Sequence, residues 1–193
     1  MAGDNAFKVR LDAAISRHNK GMQGDRTAVK DAFAQLSELR AIDSNHALLE
    51  AYYGSTLTLM ARDADKLLDK ADKSQQGLAS LDRAISLAPG NAVIRLIRAN
   101  VCLRLPENFF GRTQTAIDDF NDLLARHQRQ PDLLTPIQYK QVIQGLATAY
   151  ENTGKLTEAR TTRQRLTQPP DDAIQRGKGA SKDGKKPKVR KSK

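Results

Sequence analysis

The sequence has one cysteine, Cys102, and no tryptophan among its 193 residues. A single cysteine excludes an internal disulfide framework and any zinc site built on several thiolates. It fits a reducing compartment. Aromatic residues make up 5% of the chain. A β-sandwich or barrel would need many aromatic and β-branched residues in alternation, so an all-β fold is excluded. No apolar run approaches the ~18 residues of a membrane-crossing helix, so no transmembrane segment is predicted. The first twenty-one residues lack the uninterrupted apolar core of a secretory signal. Phe7, Leu11 and Ile15 give them an amphipathic spacing, and Asp4 and Asp12 count against a mitochondrial presequence.

Reactive constellations are missing as well. His18, His46 and His127 fall in different segments, with no His-x3-His or Cys/His spacing for a metal. Structural or solvent-exposed roles are expected for all three. Asp63, Asp65, Asp69 and Asp72 approximate a calcium loop, but Leu68 stands where that loop needs glycine and Ser74 where it needs a bidentate glutamate. Asp118, Asp119 and Asp122 read as surface ion pairs with Arg126 at helical spacing. There is no glycine-rich nucleotide loop. Cys102 lies in apolar company, where a buried packing thiol is the default. The sequence therefore predicts a non-enzyme with no cofactor and no metal.

Basic charge is what the chain has in excess. Lys and Arg number 32 against 22 Asp and Glu, a net charge of +10. Residues 168–193 hold nine basic and three acidic side chains, a net +6. Only Ala173, Ile174, Ala180 and Val189 are hydrophobic there, and Pro169, Pro170 and Pro187 interrupt the segment. It cannot bury enough apolar area to offset its ordering entropy, so a disordered basic C-terminal tail is predicted.

The rest reads as helix. Ala, Leu, Gln, Asp, Lys and Arg dominate, a mix that favours helix over strand. Helical periodicity predicts helices near 5–19, 26–42, 45–62, 74–88, 91–105, 113–127, 136–153 and 156–167. Gly, Pro and short polar stretches separate them.

A repeat frame runs through these helices. Leu146-Ala147-x2-Tyr150-x3-Gly154-x4-Ala159 resembles the tetratricopeptide (TPR) repeat, and Gly77-x3-Leu81-x2-Ala84-x2-Leu87-x-Pro89 resembles its second half. Small residues at these points let the two helices of a hairpin approach closely. In a 34-residue repeat, the small residue of a second helix precedes that of the next first helix by 22. Ala32 to Gly54 and Gly77 to Ala99 are both 22. Within a repeat the interval is 12, and Ala147 to Ala159 is 12. Longer intervals fall at 63–73, 106–112 and 127–135, where extended loops are expected. Leu36, Leu81 and Phe120 occupy the position that packs against the following repeat. Arg163 occupies it in the last one, among Thr161, Thr162, Gln164 and Arg165, which suits a polar terminal cap.

The expected fold is all-α: a TPR-like helical-hairpin solenoid of about four helix pairs. The helix and loop of 1–25 would pack on the array, the solenoid would span 26–167, and the basic tail 168–193. The resemblance implies a concave groove lined by first helices, here by Leu48 and Ser55, by Leu96, Asn100 and Arg104, and by Gln144, Thr148 and Asn152. Amides there can bond a peptide backbone without selecting a side chain. Family members that clamp the C-terminal carboxylate of heat-shock chaperones need Lys and Asn at two positions of the first groove repeat. Only Asn100 matches such a position, so no chaperone-tail clamp is predicted.

Two further surfaces stand out. Phe109 and Phe110 either fold back to plug their hairpin or form an exposed patch for a partner. In the tail, Lys185, Lys186, Lys188, Arg190 and Lys191 form a polyanion-binding string. The tail has no aromatic residue, so it would contact nucleic acid by charge alone.

The leading expectation is a cytoplasmic TPR scaffold or adaptor that binds a protein or peptide. The alternative is a nucleic-acid- or ribosome-associated factor anchored by the tail, or a nuclear protein in a eukaryote, since KKPK at 185–188 resembles an import signal.

Overall fold

The computed structural model describes residues 2–167, with side chains from residue 5 onward. The string Lys185, Lys186, Lys188, Arg190 and Lys191, with the whole segment 168–193, lies outside the described residues. Those described form helices and turns, with no strand. The helices are α1 (Ala2–Met22), α2 (Arg26–Ile42), α3 (Ala47–Asp63), α4 (Leu67–Leu87), α5 (Ala92–Arg104), α6 (Glu107–Phe110), α7 (Thr113–Arg129), α8 (Pro136–Asn152) and α9 (Leu156–Gln164). None is long and apolar enough to cross a membrane.

Local chemistry sets the helix starts. Asp25 accepts from Ala28 N and Asn91 accepts from Val93 N and Ile94 N, each satisfying amides that a helix start leaves unpaired. His46 Nδ1 does the same for Leu49 N. Thr135 and Gln138 form a capping box ahead of α8. The carboxylate of Glu107 on α6 caps α7, accepting from Thr113 N at 2.7 Å and Thr113 Oγ1 at 2.6 Å. Those bonds hold its carboxyl below the usual range. α6 closes on Gly111, whose φ of 61° is the left-handed conformation that favours glycine.

Short turns between consecutive helices make neighbours antiparallel. The most extensive contacts join α1 with α2, α3 with α4, α5 with α7, and α8 with α9. Two apolar clusters fill the interior. One holds Leu11, Ala14, Ala32, Leu36, Leu39 and Leu49. The larger runs from Ala51 through Leu81, Ile94 and Phe120 to Leu146 and Ala149. Leu36, Leu81 and Phe120 are fully buried. The small residues Ala32, Gly54, Gly77, Ala99, Ala116, Ala147 and Ala159 are all buried. Cys102 is buried too, and burial pushes its thiol up to about 12, which leaves it protonated and inert at neutral pH.

Three expectations need correction. Residues 67–73, expected in a loop, are the first turns of α4. The stretch has no Gly or Pro, and its eleven-residue excess is close to three helical turns, so α3 and α4 lengthen without losing register. Its Leu67 and Leu68 are exposed. Asp119 is not at the surface: it is 1% exposed and enclosed by arginines. Thr162, expected on the polar cap, is buried against α8, whereas Thr161, Arg163, Gln164 and Arg165 are exposed.

Candidate functional site

The helix contacts distinguish two sides of the molecule. Helices α1, α3, α5 and α8 touch one another in succession. Helices α2, α4, α7 and α9 have no comparable contacts with one another. A stack whose helices meet on one side and stand apart on the other is narrower on the first. The residues expected to line a groove belong to helices of the narrow side.

These residues fall into two groups. Leu96 is buried, Leu48 is half-buried against the larger core cluster, and Asn100 donates its amide to Leu96 O at 2.9 Å. Ser55 is buried, and its Oγ lies 2.9 Å from His18 Nε2. Leu96 and Ser55 are therefore closed to a partner. The cause is packing along the narrow side, where α1 lies against α3 and α3 against α5. The other group is open. Arg104 on α5 is exposed, and so are Gln144, Thr148 and Asn152. The last three recur every four residues and share one face of α8. Arg163 of α9 pairs with Glu151, one residue before Asn152.

His18 joins α1 to α3. It is 2% exposed, its Nδ1 lies 3.3 Å from Asn19 Oδ1, and its ring meets Tyr52 edge-on. Burial holds its imidazole below the ordinary value; the Asn19 bond opposes this and the charge of Arg104 adds to it. A neutral imidazole against a serine hydroxyl can exchange a proton only where a substrate can reach, and both groups are enclosed.

Two ionic clusters were not foreseen. Glu50 of α3 is 1% exposed and accepts from Arg40 of α2 at 2.6 and 3.1 Å, with Arg83 of α4 at 3.2 Å. Asp119 of α7 accepts from Arg95 and Arg98 of α5 at 2.7 to 2.9 Å. Arg98 continues to Asp82 of α4 at 3.0 Å, and Asp82 also pairs with Arg112. Arg95 Nε lies 2.9 Å from Asp122 Oδ2 but out of line for a hydrogen bond. These clusters tie successive helix pairs together. In each the central carboxylate, Glu50 or Asp119, is enclosed while its arginines reach the surface, and the Glu50 cluster carries a net +1.

Phe109 and Phe110 divide the two roles considered for them. Phe110 packs on the larger core cluster, and Phe109 is 80% exposed. Among the described residues no group of three metal-ligating side chains comes together.

No protein-family model matches the chain, no curated protein matches it, and no solved structure does either.

Proposed function

We propose that this protein is a non-enzymatic TPR-like scaffold, a solenoid of four helical hairpins that holds a protein or peptide segment against its inner face. The carrying observation is the asymmetry of helix contact: α1, α3, α5 and α8 meet in series while the second helices stand apart. The burial of the small residues from Ala32 to Ala159 supports the same repeat frame. The binding stretch lies in the C-terminal half. Arg104 supplies a cation, and Gln144, Thr148 and Asn152 supply donors and acceptors along one exposed helix face. Such a surface suits an extended segment with at least one acidic group.

A second reading follows from charge. The excess of basic residues in 168–193 favours a nucleic-acid- or ribosome-associated factor anchored by Lys185, Lys186, Lys188, Arg190 and Lys191. A pull-down with four arms separates the two. Full-length protein and a chain ending at 167 are compared, each with and without nuclease. Scaffold function predicts a protein partner retained by the shortened chain after nuclease. Loss of all partners on tail removal or on nuclease treatment supports the anchored factor instead.

A further inference from the structure

The second helices α2 and α4 make no extensive contact, and a shallow pocket of about 440 Å³ opens beside them. Its lining is Ser37, Arg40 and Ala41 of α2, Ser44 of the following turn, Tyr53 of α3 and Arg83 of α4. Two arginines from different helices thus meet at one opening, on the opposite side from the face proposed for the peptide.

Both guanidinium groups are held from beneath. They converge on the same oxygen, Glu50 Oε2, with Arg40 Nε at 2.6 Å and Arg83 Nη1 at 3.2 Å. Arg40 also bonds Glu50 Oε1 through Nη2 and lies 4.7 Å over the Tyr53 ring. Arg83 Nη2 donates to Asn45 Oδ1 at 3.0 Å. Each arginine is therefore fixed at two points, which lowers the entropy lost when a ligand binds. Each still has a donor for an incoming group, Nη1 on Arg40 and Nε on Arg83. Both side chains remain 37% exposed. Glu50 balances one of the two positive charges, so the opening keeps a net +1 with arginine forks, the geometry suited to phosphate oxygens. The Ser44 hydroxyl adds a donor at the rim, and the Ser37 hydroxyl is committed to Phe33 O.

We propose that this pocket binds a phosphomonoester group. The volume exceeds what a bare phosphate fills, which leaves room for the group that carries it. Tyr53, stacked on Phe33 at a ring separation of 5.5 Å and lying under Arg40, props that guanidinium at the opening. Glu50 acts as a positioning residue that aims the arginines and does not touch the ligand. The site is independent of the peptide-binding proposal, because none of its residues belongs to that face.

The test is an NMR titration of the full-length chain with Lys185, Lys186, Lys188, Arg190 and Lys191 changed to Ala, so that the tail does not compete. The probes are inorganic phosphate, O-phospho-L-serine, L-serine and acetate. The amides of Ser44 and Tyr53 are followed. Saturable shifts with phosphate and phosphoserine are expected, with binding at least tenfold weaker for acetate and none for serine. Arg83→Met should weaken phosphoserine at least tenfold. If that variant loses its fold, Ser44→Ala, at an exposed turn, decides the matter with an expected loss of about threefold. No saturable shift at Ser44 and Tyr53, equal binding of acetate, or affinity unchanged by the deciding substitution overturns the site. Binding of inorganic phosphate without phosphoserine overturns the assignment to an ester.

Discussion

Gly54 of α3 and Gly77 of α4 face each other so closely that a Cβ on either would lie 2.7 Å from the other's carbonyl oxygen. The obstacle is backbone, so it cannot rotate aside. Gly77→Ala should therefore destabilise the protein even though alanine is the better helix former by ~1 kcal/mol. Overpacking against backbone costs about 2–3 kcal/mol, the upper part of the usual range, so a net loss of about 1–2 kcal/mol in chemical denaturation is expected. Ala99→Leu, at another buried small position, should lose about 1–3 kcal/mol. Gln164→Ala on the exposed end should change stability by less than ~0.5 kcal/mol.

The enclosed carboxylate of Asp119 gives a second contrast. Asp119→Ala leaves Arg95 and Arg98 without their shared partner. Breaking a buried pair costs ~3–5 kcal/mol, and the lower end applies because these arginines are 17% and 15% exposed and can partly rehydrate. Asp118→Ala, one residue away and exposed, should fall within ~0.5 kcal/mol of the parent. Equal melting points for the two variants would mean that the cluster does not tie α5 to α7.

Helix existence was legible in the sequence because the buried stripes keep a 3.6-residue period, and α2 spans the residues 26–42 that the period indicates. The frame of small residues was legible because close helix approach admits few side chains. The start of α4 was not. Leu67 and Leu68 are exposed among alternating Asp and Lys, so no stripe marks the helix there. The covering of Ser55 was hidden because α1 lacks the paired large and small residues of the repeat. Glu50 and Asp119 carried a usable signal: each lies four residues before a buried position, Gly54 and Leu123, on a stripe that periodicity reserves for the interior. A carboxylate at such a place calls for arginines on the neighbouring helices.

His18 should make stability depend on pH. Its folded imidazole is held below the ordinary value, so the unfolded chain takes up the proton first as pH falls. Stability is complete above the unfolded value of ~6.5 and declines below it until the folded value is passed, at up to ~1.4 kcal/mol per unit of pKa difference. His18→Gln should flatten that decline between about pH 7.5 and pH 5. Denaturation midpoints that fall equally in parent and variant would assign the dependence to other groups.

The tail should bind polyanions without reading sequence. Seven basic residues lie between Lys182 and Lys193. Each neutralised phosphate steepens log affinity against log salt by ~0.9 for duplex DNA and ~0.7 for single strands, so a slope of about three to five is expected with partial engagement. Changing Lys185, Lys186, Lys188, Arg190 and Lys191 to Ala should remove most of it. An unchanged slope would move any polyanion contact to the helical body.

Site-specific photo-crosslinking tests the scaffold account most directly. A photoreactive residue is placed at Gln144 or Thr148 on the inner face, or at Gln114 or Asp118 on α7, in nuclease-treated extracts. The account predicts one discrete protein adduct from both inner positions, weakened by Arg104→Glu and absent from both α7 positions. Identical adducts from all four positions, or none from Gln144 and Thr148, would contradict it.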